Sequence, residues 1–129
     1  MHAVDTNVLV RLLTGDDAEQ TKRAAALFKN ETIFIPKTVL LETEWVLRRL
    51  YRLDSKVVVG ALLKLSGLAN VVIEQPLVVT QALLWCEEGM DFADALHLAS
   101  SQNSRKFATF DERLKKSAPK GMKPAVLLL

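Results

Sequence analysis

Short apolar runs set between longer amphipathic stretches constrain this chain more than any other feature. Ile33-Phe34-Ile35, Val71-Val72-Ile73, Phe107-Ala108-Thr109 and the run from Ala125 to Leu129 are too short for buried helices. Most are rich in β-branched or aromatic residues, so all four predict strands. Met1 to Val4 predicts another, the first in the chain. Between strands the apolar residues recur at helical spacing, as in the stripe Val39, Leu40, Thr43, Val46, Leu47 and Leu50. The predicted helices cover 7–14, 17–30, 38–51, 54–67, 76–88, 91–104 and 111–116. Asp16 or Asp17, Asp54 or Ser55, and Asp91 are their candidate caps, and Gly15, Gly67 and Gly89 their stops.

Strands that are continuously apolar, rather than alternating, belong to parallel sheets covered on both faces. The first and last strands are therefore expected to be buried. Strand–helix alternation throughout predicts the α/β class: a three-layer α/β/α sandwich with a central, mostly parallel sheet of about five strands.

The 129 residues suffice for one domain, 1–129, with a real core, and half of them are hydrophobic, which excludes a disordered chain. A net charge of +2 permits a nucleic-acid partner without demanding one. Cys86 is the single cysteine, so an internal disulfide and a cysteine-based zinc site are both excluded. No apolar run reaches the length of a membrane span, and Asp5, Asn7 and Arg11 interrupt the N-terminal run before it can form a signal peptide. A cytoplasmic protein is expected.

The acids fall at particular places. Asp5 directly follows the first strand, with Thr6 and Asn7 after it. Glu42 lies in the early turns of the helix after the second strand. Asp91 and Asp94, three residues apart, share a face at the start of their helix. Asp111 follows the fourth strand, after Thr109-Phe110. In a parallel α/β fold, strand carboxyl ends and the following helix amino ends share one edge, so these carboxylates are expected on one rim. Each has a plain structural reading: Asp91 and Asp111 as helix caps, Glu42 as a charge favoured by the helix dipole. Clustered together they repel, and a cation relieves that repulsion. Oxygen ligands without cysteine or a histidine pair suit Mg²⁺ or Mn²⁺.

These residues carry a resemblance. Asp5-Thr6-Asn7, Glu42 within Leu41-Glu42-Thr43-Glu44-Trp45, Asp91-Phe92-Ala93-Asp94-Ala95-Leu96 and Thr109-Phe110-Asp111 resemble the motifs of PIN-domain ribonucleases, and most of all the VapC-type toxins of prokaryotic toxin–antitoxin pairs. Each motif is short; the four in this order and spacing are specific, and the resemblance covers essentially the whole chain. It implies a Mg²⁺- or Mn²⁺-dependent endoribonuclease. Asp5, Glu42, Asp94 and Asp111 correspond to the catalytic acids, with Asp5, Asp94, Asp91 and Asp111 near the metal. Thr6, Asn7 and Thr109 correspond to supporting polar positions. The resemblance further implies a homodimer, and a small antitoxin that inserts a segment into the acidic groove.

RNA must also be held. Arg11 is the cation nearest in sequence to Asp5, while Arg113, Lys115 and Lys116 belong to a basic stretch between Arg105 and Lys123. A solvated basic surface is the plain reading of that stretch. Aromatics are few, so base stacking is not expected. His97 reads as a polar residue at a helix margin, and Trp45 and Trp85 as core or dimer contacts. Two other functions compete. An aspartate-nucleophile phosphohydrolase wants a second carboxylate two residues after Asp5, where Asn7 stands instead. A non-catalytic scaffold of the same PIN-like fold would not need the complete acid set.

Overall fold

The polypeptide is α/β, with five short strands and seven helices. A computed structural model describes residues 1–129. Its backbone divides into two units, Met1–Pro76 and Leu77–Leu129.

In the first unit, β1 (His2–Ala3), β2 (Ile33–Ile35) and β3 (Val71–Ile73) form a parallel sheet in that order. His2 pairs with Ile33, and Ile33, Phe34 and Ile35 pair with Val71, Val72 and Ile73. The helices are α1 (Thr6–Thr14), α2 (Ala18–Asn30), α3 (Lys37–Arg49) and α4 (Ser55–Ser66). Ile33, Ile35, Leu9, Leu40, Leu47 and Leu62 are almost wholly buried. Each such side chain contributes roughly 1.5–3 kcal/mol of hydrophobic stabilisation.

The second unit contains α5, which starts at the boundary (Pro76–Glu87), then α6 (Phe92–Ala99), β4 (Lys106–Thr109), α7 (Glu112–Ser117) and β5 (Ala125–Leu128). β4 and β5 pair in parallel, Lys106 with Ala125 through Thr109 with Leu128. Phe92, Ala95, Leu98 and Leu83 are buried.

Helix starts follow the local chemistry. Asp5, Asp17, Asp54, Asp91 and Asp111 each accept a backbone N–H of the helix they precede. Such a cap contributes about 1 kcal/mol, because it satisfies a donor with no partner inside the helix. Gly15 ends α1 at φ 67°, a left-handed conformation that a Cβ would oppose. The exception is α3: Pro36 precedes it and offers no side-chain cap. Glu74, just past β3, accepts the Lys37 N–H at 2.9 Å instead.

Two expectations fail. The helix from Asp91 stops at Ala99, not near Ser104. The Ser101 hydroxyl donates to the His97 carbonyl at 2.8 Å, and a polar run follows that has no apolar face to bury. The strands are also less buried than continuous hydrophobicity suggests. Both β1 residues are exposed, Val72 is exposed in β3, and in β5 only Val126 is buried. β1 and β5 each pair with a single strand, and β3 buries one face only.

Candidate active site

In the first unit the site residues gather at the carboxyl ends of β1 and β2. The chain leaves β1 in extended conformation at Asp5, whose Oδ1 accepts the Val8 N–H at 3.3 Å. This cap occupies one carboxylate oxygen and fixes the orientation of the other. Thr6 is buried, and its hydroxyl donates to Oε1 of Glu42 on α3. That bond steadies a carboxylate that otherwise stands in solvent. Asn7 is exposed beside Arg11, Gln20 and Arg23 along a shallow groove between α1 and α2.

Arg11 is committed elsewhere. Its guanidinium donates to Gln20 at 2.7 Å, to Asp16 at 3.2 Å and to the Tyr51 hydroxyl at 3.2 Å. Asp16 also accepts from Tyr51 and from Thr14, and these bonds, Tyr51's foremost, hold its carboxyl below the usual range.

In the second unit two acids act on a third, Asp94. Asp91 caps α6 by accepting the Asp94 N–H at 3.1 Å. Asp111 caps α7 by accepting the Leu114 N–H at 3.1 Å, and its own N–H donates to the Thr109 hydroxyl at 3.0 Å. Asp94, in the first turn of α6, is not a cap. Burial pushes its carboxyl above the usual range, and the charges of Asp91 and Asp111 add to the rise, with His97 opposing it. No lysine or arginine pairs with Asp94. Asp91 and Asp111 are thus helix caps, as their plain reading has it. A carboxylate offers about four lone-pair sites, so capping leaves room for a further ligand.

The remaining expected residues lie elsewhere. Arg113 is exposed in the first turn of α7, near Asp111 in the chain. Lys115 and Lys116 are in its last turn, and the Lys115 ammonium donates to the Val126 carbonyl at 2.8 Å.

No three acidic, imidazole or thiol side chains stand close enough together to cage a metal ion. Magnesium does not require a cage. It binds through one or two carboxylates and keeps several waters. Asp94, a hard oxygen donor on which the charges of Asp91 and Asp111 act, suits such an ion.

Sequence reasoning missed two residues at these edges. Glu74 follows β3 and its acidity was visible, but nothing local ties it to Lys37, thirty-seven residues away. Phe110 lies between Thr109 and Asp111 and is 81% exposed, a position from which an apolar ring gains nothing by burial. Its place in a strand-ending turn was the available signal. Glu44, buried two residues after Glu42, is neutralised by Arg48 one turn on, at 2.8 Å.

The family model for the PIN domain matches residues 3–119. Among solved structures, the chain is similar to VapC20 of Mycobacterium tuberculosis, described as a sarcin–ricin-loop-cleaving toxin. Identity is 24%, over 97% of this chain and 98% of that one, with a TM-score of 0.45. Comparison with curated proteins gives no match.

Proposed function

The chain belongs to the PIN domain family, and we propose that it is a divalent-metal-dependent endoribonuclease, the toxin of a type II toxin–antitoxin pair. The observation that carries the chemistry is Asp94, which no lysine or arginine neutralises and whose carboxyl is held above the usual range by burial and then by the charges of Asp91 and Asp111. A phosphodiester is anionic as well, so acids of this kind can serve its hydrolysis only with a cation between them. The family match runs through both units, which supports reading residues 1–129 as one nuclease domain. On the same ground we assign Asp5, Glu42, Asp94 and Asp111 to one reaction. The toxin reading rests on the order and spacing of the four motifs.

Hydrolysis requires a water oxygen at phosphorus, an acceptor for its proton, and departure of a sugar oxygen. Bound Mg²⁺ or Mn²⁺ supplies neutralisation of the phosphate and acidifies a water. In this reading Asp94 and Asp111, with Asp91, would hold the ion, and the motif resemblance counts Asp5 among the acids of the same reaction. Glu42, steadied by Thr6, would serve as a ligand or orient the attacking water. Thr109 fixes the backbone at Asp111. Arg113 is free to meet a phosphate, while the ties of Arg11 to Asp16, Gln20 and Tyr51 weigh against such a role for it. The expected partners are RNA, a second copy of the chain, and a small antitoxin inserting into the acidic groove. Such a toxin works in the cytoplasm, and no helix here is long and apolar enough to cross a membrane.

The test is direct. Purified protein should cut RNA with Mg²⁺ or Mn²⁺ and stop with EDTA, and Asp5→Asn or Asp94→Asn should abolish cutting. If both variants cut like the parent, the site assignment fails. Expression should arrest growth, and co-expression of the small protein encoded alongside should restore it. Unimpaired growth with active enzyme present would remove the toxin reading and leave the nuclease.

A further inference from the structure

We propose that a cleft at the amino edge of the β4–β5 sheet binds the RNA backbone at a distance from the bond being cut. It is lined by Arg105, just before β4, by Lys115 and Lys116 at the end of α7, and by Lys120 and Lys123, just before β5. No carboxylate lines it. Because β4 and β5 are parallel, their amino ends share one edge, and Asp111 follows the opposite end of β4. Four strand residues separate the two edges by about 13 Å. The chain returns through α7, whose six residues rise about 9 Å and deliver Lys115 and Lys116 to the cleft. The Lys115 bond to the Val126 carbonyl closes the wall there. The acids of the segment 105–123, Asp111 and Glu112, thus lie at one end together with Arg113, and the cleft cations lie at the other.

The chemistry favours a phosphate chain over an acidic peptide. Four of the five cations are lysines, compact charges on flexible stems that follow a run of phosphates without fixed geometry. Arginine's fork matches carboxylate and phosphate alike, so the neutral groups beside these cations decide between the two. Gln102, Asn103 and Ser104 add neutral polar groups suited to sugar and phosphate oxygens. This site rests on the nuclease reading and extends it: substrate is gripped away from the cut, so long RNA is preferred to short.

The test uses Lys120→Glu/Lys123→Glu, both exposed positions, in the full chain, with thermal unfolding to establish that it folds. In an Asp94→Asn background, binding of a single-stranded hexadecanucleotide is measured by anisotropy across a salt series. The slope of log affinity against log salt should fall by about 0.7 for each phosphate no longer neutralised. With Asp94 intact, cleavage of the long RNA should lose at least about tenfold more in kcat/KM than cleavage of a tetranucleotide, a difference of about 1.4 kcal/mol. An unchanged slope, or equal losses on both lengths, overturns the proposal. If the parent cuts no RNA at all, the nuclease reading fails, and the salt series still decides the cleft.

A separate observation concerns Phe110. Of the five phenylalanines, Phe28 and Phe92 are buried, and Phe34 and Phe107 half-buried. Phe110 alone stands in solvent, on a turn fixed at both sides of Asp111 by the Thr109 and Leu114 bonds. We infer that its ring stacks on an unpaired RNA base beside the scissile phosphate. Base–aromatic stacking is sequence-tolerant and needs an aromatic face, not mere hydrophobicity. In the Asp94→Asn background, RNA carrying 2-aminopurine near the cut should be quenched on binding. Phe110→Ala and Phe110→Leu should lose the quenching, and Phe110→Tyr should keep it. With Asp94 intact, KM should rise about tenfold or more in the first two. Leucine performing as well as phenylalanine overturns the inference, as does a Phe110→Ala chain that sediments as a smaller species, which would make the ring a subunit contact.

Discussion

The Thr6 hydroxyl donates to the Glu42 carboxylate, joining the first turn of α1 to α3 across thirty-six residues of sequence. Thr6 is buried and Glu42 exposed, so the buried partner fixes the orientation of the exposed one. Thr6→Val keeps the shape and removes the donor. Water can replace the lost bond at Glu42, so stability should move by less than about 1 kcal/mol. RNA cleavage should fall about 10–100-fold, as for other groups that orient an active carboxylate. Thr6→Ser should retain most of the rate. Urea unfolding and single-turnover cleavage measure the two effects.

Asp94→Asn should stabilise the fold while it removes activity. The folded carboxyl titrates above the ordinary value of 3.8, because of burial and then of Asp91 and Asp111. The ionised form is therefore disfavoured in the folded chain relative to the unfolded one. That cost is present in full above the raised folded pKa and fades as pH falls through it and below 3.8. The gain from asparagine should be largest at neutral pH and vanish in acid. A thermal melt of both proteins at pH 7 and at acid pH checks the sign; a less stable variant at pH 7 would contradict it.

Asp16 behaves oppositely. Its carboxyl is lowered by the Tyr51 and Thr14 hydroxyls, then by Arg11. The stability from this cluster is present above 3.8 and is lost as pH falls from there through the lower folded value. Tyr51→Phe removes the largest cause, so the Asp16 carboxyl should titrate closer to 3.8. Carboxyl-carbon NMR titration of the two chains reads this, and an unmoved Asp16 would show that Tyr51 does not set it.

Glu44 is 2% exposed and relies on Arg48, four residues on. Arg48→Met leaves the carboxylate buried without that cation and should cost about 1–3 kcal/mol. Adding Glu44→Leu should recover most of the loss, since an apolar pair of similar volume replaces a buried ion pair at little cost. Denaturant midpoints of the two variants test this, and RNA cleavage by the double variant should stay near the parent's.

How much of this was legible varied with the range of the interaction. The caps of α6 and α7 were readable at Asp91 and Asp111, because a cap joins residues three apart. Gly15 announced the end of α1 for the same reason. The end of α6 was not readable, since serines at positions 100 and 101 are compatible with a helix until Ser101 turns back to His97. Burial of β1 and β5 was misjudged because hydrophobicity states what a residue tolerates, not whether a second strand or helix covers it.

The acids themselves, their order, and the family they belong to were fixed by sequence alone, because residue identity and local spacing determine both motif and cap. Tertiary structure decided which of them interact. Parallel pairing sets Ile73 beside Ile35, which brings Glu74 to the uncapped start of α3. The same kind of pairing in the second unit carries Asp111 to one edge and the cleft cations to the other. Strand register is a long-range property, fixed by side chains that pack together only after the chain has closed on itself.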